Sequence, residues 1–372
     1  MLRNYLGIIN LDEATKDIRA LTTRRNVASI PIGGRYRVID FVLSNMVNAG
    51  INHICVFAEN STRSLSDHLS NGRPWDLDRK IGGLYVIHNS LMDDIFNSDK
   101  AAFENNIELL DKITEDNVII SSSYMICNID LEAVAEAHEK SGADITAVYK
   151  EVDDADVHFI NCNTFNLDEG SRVCSAARNV GKKKKANVCM EIFVMKKSLL
   201  CDLLFKAADE GTRAHIKDYI SAHISEYSVH GYKFTGYLSC INTINSYYHT
   251  NMDMLNIATM GSLFKKLKPI YTKTKDSPPA KYYVGSNVSN SLIADGAIIK
   301  GKVVNSVISR SVIVEEGAQI DGCVILQNAH ICKDAKLTNV IVDKGVVINE
   351  NVDIKCPKQS PLTLERKSKL IE

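Results

Sequence analysis

The chain has 372 residues, 45% hydrophobic and 24% charged, proportions that fit a folded globular protein with room for two domains and a sizeable core. Its formal net charge of -1 excludes a global pull toward nucleic acid or an anionic membrane, so any anion site has to come from a local cluster. No apolar run reaches the ~20 residues of a membrane span, and a cytoplasmic protein is expected.

In chain order, Leu6–Leu11, His53–Ala58, Val118–Ser122 and Asp144–Tyr149 read as buried strands, with Met190–Lys196 as a further candidate. Phe41–Ala49, Ala101–Lys112 and Leu131–Lys140 read as helices between them, and Thr243–Met254 as a helix closing the region. This alternation predicts an α/β domain with a mainly parallel sheet. The ten cysteines form no C-x-x-C pair and sit mostly in apolar runs such as His53-Ile54-Cys55-Val56-Phe57. They read as reduced, buried thiols rather than zinc ligands.

Lys265–Pro279 is charged and carries Pro269, Pro278 and Pro279, the texture of a linker. An internal repeat follows it. Ser291-Leu292-Ile293, Ser306-Val307-Ile308, Cys323-Val324-Ile325 and Asn339-Val340-Ile341 recur every 15 to 17 residues. Apolar residues six apart form the ladder Ile293/Ile299, Ile308/Val314/Ile320, Ile325/Ile331/Leu337 and Ile341/Val347. The last turn slips by one, because Asp353 falls where the next apolar residue is due and Ile348/Ile354 take over. Such hexads predict a parallel β-helix. The histidine in this region, His330, raises the reading of an acyltransferase that uses it as general base, on fold analogy alone.

The segment Pro31-Ile32-Gly33-Gly34-Arg35-Tyr36-Arg37-Val38-Ile39-Asp40-Phe41-Val42-Leu43-Ser44-Asn45 closely resembles the stretch that follows the nucleotide-binding loop in glucose-1-phosphate adenylyltransferases. Asn48–Ile51, Pro74-Trp75-Asp76-Leu77-Asp78-Arg79 and Tyr247–Met254 resemble the same family in the same order. The resemblance implies a nucleotide-diphospho-sugar transferase domain (Rossmann-like, GT-A type) over residues 1–260. A linker over 261–280 and a left-handed parallel β-helix over 281–372 would follow. The family reaction joins ATP and glucose 1-phosphate to give ADP-glucose and pyrophosphate, with Mg²⁺ held by carboxylates.

Against that family the chain departs at every catalytic position. Where the family has a glycine-rich phosphate loop, this sequence has Asp12, Glu13, Thr15 and Asp17, and three carboxylates there repel a triphosphate. The lysine that follows the loop becomes Val27. Tyr124, in Ser122-Ser123-Tyr124-Met125, stands where the first metal carboxylate is due, and a neutral phenol is a poor magnesium ligand. Cys240 stands at the second such position and is too soft a ligand for magnesium. The sugar motif becomes Ser98–Ala102.

The resemblance therefore implies a D-type, catalytically silent subunit, with no catalytic residues, no metal and no cofactor of its own. It would regulate a catalytic paralogue that carries the Mg²⁺, in a heterotetramer, with self-association when alone. The competing reading is an active enzyme that uses Asp12, Glu13 or Asp17 as unorthodox metal ligands.

Arg24, Arg25 and Arg37 match basic positions that line a phosphate-bearing effector site in bacterial members, and guanidinium groups suit phosphate. Surface ion pairing is their plain alternative. Lys182–Lys185 reads as a solvated loop, His249 as a packed or surface histidine, and the Asp76/Asp78 pair as structural.

Overall fold

The computed structural model describes residues 1–13, 15–58, 63–88, 107–210 and 215–365. The chain divides into two compact units, one of Met1–Glu13, Phe41–Cys240 and Lys265–Tyr271, the other of Ala14–Asp40, Ile241–Phe264 and Thr272–Glu372. Among the described residues no helix is long and apolar enough to cross a membrane.

The first unit is built on a nine-stranded sheet. Tyr5–Leu11 is buried along its whole length. It pairs in parallel with His53–Ala58 on one side and Asn117–Ser122 on the other, with Ile8 opposite both Cys55 and Ile120. Gly7 is needed here, because a Cβ at that position would stand 2.8 Å from the sulfur of Met46. Gly83–Ile87 extends this parallel half beyond His53–Ala58.

The sheet is mixed rather than mainly parallel. The strand expected at Met190–Lys196 starts earlier, at Ala186, and runs antiparallel to both Asn117–Ser122 and Ile145–Val152. Asn163–Leu167 and Val173–Arg178 add an antiparallel hairpin, and Val229–Lys233 pairs in parallel with Ile145–Val152. These strands are short and partly exposed, so they carry little of the apolar periodicity that reveals buried ones. Helix Leu131–Ser141 starts on Asp130, whose carboxylate accepts from the Glu132 and Ala133 amides, and ends at Gly142 in the left-handed region. The core joins Leu6, Ile8, Phe57 and Val118 of the strands to Leu200, Leu203 and Leu204 of helix Lys197–Asp209.

Of the helix expected at Ala101–Lys112, residues 107–112 are helical and the rest lies outside the described residues, as does the sugar motif at Ser98–Ala102. The ten cysteines are all free. Six are buried, Cys201, Cys332 and Cys356 are half-buried, and Cys174 is exposed.

The second unit contains the β-helix, three faces of five parallel strands each. Ile308, Ile325, Val342 and Leu364 stack in register on one face. The inner column of the fourth coil therefore passes through Val342 and not through Ile341. Val347 points outward at 51% exposure while Ile348 is 1% exposed. The slip in the hexad ladder thus falls two ladder positions earlier than the sequence pattern placed it, at Ile341 rather than at Asp353. The coil lengths explain this: the pairing repeats at 17 residues from Ile308 to Ile325 and again from Ile325 to Val342, which carries the inward position past Ile341. At Gly301 a Cβ would stand 2.4 Å from the Ala318 carbonyl oxygen of the next coil. His330 pairs with Glu315 at 3.2 Å, and Glu315 also accepts from Lys300 at 2.7 Å.

Helix Ile244–Asp253 opens on a reciprocal cap between Thr243 and Ser246. Tyr247 donates to the Pro31 carbonyl at 2.7 Å, and Tyr248 donates to the Gly322 carbonyl at 2.7 Å. The short hairpin Pro31–Ile32/Tyr36–Arg37 turns through Gly33 and Gly34, both at positive φ, and the Gly33 amide donates to Asn251 at 3.0 Å.

Candidate functional site

In an open α/β sheet, ligands bind beyond the carboxyl ends of the parallel strands. In the first unit those ends are Asn10–Glu13 after Tyr5–Leu11 and Ser123–Tyr124 after Asn117–Ser122. A closed polar network fills this place. Glu13 accepts from the Ser123 amide at 3.0 Å and from the Ser123 hydroxyl at 2.5 Å. Asp12 accepts from Asn10 at 2.9 Å, and its second oxygen faces the Lys217 ammonium at 3.0 Å. His215 Nδ1 stands 3.3 Å from Asp12. Lys217 also reaches Glu191 at 3.1 Å, and the Tyr124 hydroxyl donates to the other Glu191 oxygen at 2.5 Å. The ammonium lies over the Tyr124 ring, 5.2 Å from its centre.

The electrostatics follow from this packing. Burial pushes the Glu13 carboxyl up, Asp12 adds to it, and the Ser123 donors and Lys217 oppose it, leaving it at about 7. Burial works against charge on Lys217, but Glu191, Asp12 and Glu13 outweigh it and hold the ammonium above lysine's ordinary range. Burial and then the Glu191 charge hold the Tyr124 phenol well above its ordinary range, so it stays neutral.

Glu191 is the strained member. It sits at φ 54 in a bulge of Ala186–Lys196, where pairing with Ile145–Val152 breaks between Cys189 and Phe193. A non-glycine residue there costs ~1–3 kcal/mol and persists where its surroundings hold it. Here Tyr124 and Lys217 hold its carboxylate, which is 4% exposed.

Each site residue expected from the sequence has a definite place. Tyr124 is buried and bonded to Glu191. Cys240 is buried with its sulfur 3.5 Å from that of Cys162, and burial, then the Cys162 contact, pushes its thiol well above the ordinary value. Asp12 and Glu13 join the network. Thr15 and Asp17 belong to the second unit and are exposed, and Val27 is core. Glu191 and Lys217 were missed. A single acid inside the apolar run Val188–Met195 is a readable signal for Glu191. Lys217 on a short polar helix gives none.

In the second unit Arg24 is exposed. Arg25 is committed to Asp343, each 12% exposed, and to the Leu21 carbonyl at 2.7 Å. Arg37 belongs to a basic cluster that the sequence alone did not gather. Partial desolvation and then the charges of Lys344, Arg310, Arg37 and Lys273 hold the Lys275 ammonium below its ordinary value. Arg310 is 6% exposed, and its Nε has no hydrogen-bond partner among the described residues.

A Rossmann-like sheet with its ligand edge at these strand ends, and a separate hexapeptide β-helix, define a nucleotidyl-transferase architecture. Residues 15–256 match the family model for nucleotidyl transferases, and residues 278–360 match a GlmU-like C-terminal hexapeptide model, which makes the solenoid a left-handed one. The chain is 31% identical to the glycogen biosynthesis protein GlgD of Bacillus subtilis over 366 residues, covering 97% of this chain and 95% of that protein. It is 32% identical to GlgD of Geobacillus stearothermophilus over 325 residues, 86% and 84% of the two chains. It is 27% identical to the glucose-1-phosphate adenylyltransferase of Fervidobacterium nodosum over 358 residues, 95% and 86% of the two. The chain belongs to the nucleotidyl transferase family, in the glucose-1-phosphate adenylyltransferase branch and on its D-type side.

Proposed function

We propose that this protein serves glycogen biosynthesis as a catalytically silent, regulatory subunit of glucose-1-phosphate adenylyltransferase, acting on a catalytic paralogue. The observation that carries the reading is the fate of the two metal-carboxylate positions. Tyr124 is bonded inward to Glu191, and Cys240 is packed against Cys162. Neither group is a hard, charged oxygen donor of the kind magnesium needs. The carboxylates nearby are engaged by Lys217 and Ser123 instead. Pyrophosphate departure then lacks the charge neutralisation that drives it.

The regulatory half of the proposal draws on the basic cluster around Lys275. Four cations acting on the Lys275 ammonium favour a phosphate-bearing effector, and Arg310 brings a nearly buried guanidinium with an unused donor. Coupling to a partner would act through subunit contacts and be limited by the effector's differential affinity for the two states.

The test is turnover of ATP and glucose 1-phosphate by the purified chain with Mg²⁺, alone and with a paralogue that keeps the glycine loop. Alone it is expected to give no ADP-glucose above background. Mixed, it is expected to raise the partner's turnover or its response to phosphate-bearing effectors. Turnover of about 1 s⁻¹ or more by the chain alone, within the range of ordinary enzymes, removes the reading.

A further inference from the structure

We propose that the Lys217 ammonium is a tethered cation that takes the place a divalent metal ion would hold in this pocket. The inference rests on the reading of the site as silent and says what makes it so. A divalent ion in a phosphoryl-transfer site binds one or two carboxylates and neutralises them. Lys217 Nζ does this from helix Ile216–Ala222. It stands 3.0 Å from Asp12, beyond the end of Tyr5–Leu11, and 3.1 Å from Glu191, in the bulge of Ala186–Lys196. The three side chains are 13%, 5% and 4% exposed, so the bridge is shielded from bulk water. Tyr124 completes the arrangement from below, with its ring under the ammonium and its hydroxyl on Glu191.

The residues present do not fit a magnesium ion alongside this lysine. Among the described residues no group of three or more His, Cys, Asp or Glu side chains is placed to hold a metal. The two best-placed carboxylates already share one positive charge, and a second, doubly charged ion against that ammonium meets Coulomb repulsion at short range. The phosphates of a metal-bound triphosphate would lose their counter-ion, and Glu13 would face them directly. A merely structural ion pair and a cation surrogate make different predictions once the ammonium is removed. The first leaves two uncompensated acids. The second leaves a place that a free divalent ion can take.

The experiment uses the full chain and Mn²⁺, followed by electron paramagnetic resonance and by the melting transition. Wild type is expected to show no saturable Mn²⁺ site. Lys217→Ala is expected to gain one, with affinity at least about tenfold tighter than any wild-type binding, and to melt higher as Mn²⁺ is added. Lys217→Arg, which keeps the charge, is expected to gain none, and Lys217→Ala/Glu191→Gln is expected to lose the gained site. If Lys217→Ala does not fold by itself, Mn²⁺ is expected to restore its melting transition where Na⁺ at equal ionic strength does not.

A folded Lys217→Ala without a gained site overturns the inference. So does an unfolded one that Mn²⁺ cannot rescue, or a wild-type site that Glu191→Gln abolishes. The outcomes separate from those of the silent reading. ADP-glucose made by wild type alone would remove that reading, whereas a missing Mn²⁺ site in Lys217→Ala removes only the tethered cation.

Discussion

Glu13 shows how much one side chain can reveal about a buried polar pocket. Its carboxyl stands at about 7 in the folded chain against an ordinary 4.5, chiefly through burial and Asp12. Between those values the folded state keeps a proton that the unfolded state has released. Stability from this group is therefore complete below about 4.5 and is lost as pH rises through 7. The loss is on the order of 2 kcal/mol, after allowing for partial exposure. Glu13→Gln removes the titration while leaving an acceptor for Ser123. Chemical denaturation across pH 5 to 8 is expected to show the variant gaining on wild type as pH rises. A difference that stays flat with pH contradicts the assignment. The acids at positions 12 and 13 were legible in the sequence as repelling a triphosphate. Their engagement by Ser123 and Lys217 was not, because those partners lie 110 residues from Glu13 and 205 from Asp12 along the chain.

At the scale of elements, strand periodicity located the buried parallel strands closely, His53–Ala58 to the residue. It missed Asn163–Leu167, Val173–Arg178 and Val229–Lys233, whose half-exposed faces dilute the apolar alternation. The β-helix was legible because each inward position is stacked on one of the same kind in the next coil, which forces the repeat. Its fourth coil was misread by one residue, since Val340, Ile341 and Val342 are all apolar and hydropathy alone cannot choose the inward one. The observed register makes a paired prediction. Ile348→Ala is expected to destabilise the chain by ~2–4 kcal/mol, because it removes a fully buried side chain, whereas Val347→Ala is expected to change stability by less than about 0.5 kcal/mol. Equal costs in urea denaturation would put the register wrong.

For the whole molecule the formal charge of -1 conceals a sharp local asymmetry. Arg37, Lys273, Arg310 and Lys344 all act on the Lys275 ammonium, though they come from widely separated parts of the sequence. We expect inorganic phosphate or sulfate to bind there, seen by calorimetry. The affinity should fall about tenfold in Lys275→Ala/Arg310→Ala and weaken as NaCl rises. Unchanged phosphate binding in that double variant would move the effector site elsewhere. Arg25→Ala is expected to act first on stability, by ~1–3 kcal/mol in a thermal melt, because it leaves the buried carboxylate of Asp343 without its guanidinium.

Sequence alone determined the architecture and which residues stand at the positions where the family resemblance expects catalytic groups. Both rest on local chemistry: hexad spacing, apolar strand runs, and a phenol and a thiol at Tyr124 and Cys240 where carboxylates are due. Only the tertiary structure decided what replaced those groups. The internal cation Lys217, the strained acid Glu191 and the cluster around Lys275 are each made by side chains far apart in the chain. Charge pairing across such distances leaves no spacing to read, because it depends on which strand ends and helices the fold brings together.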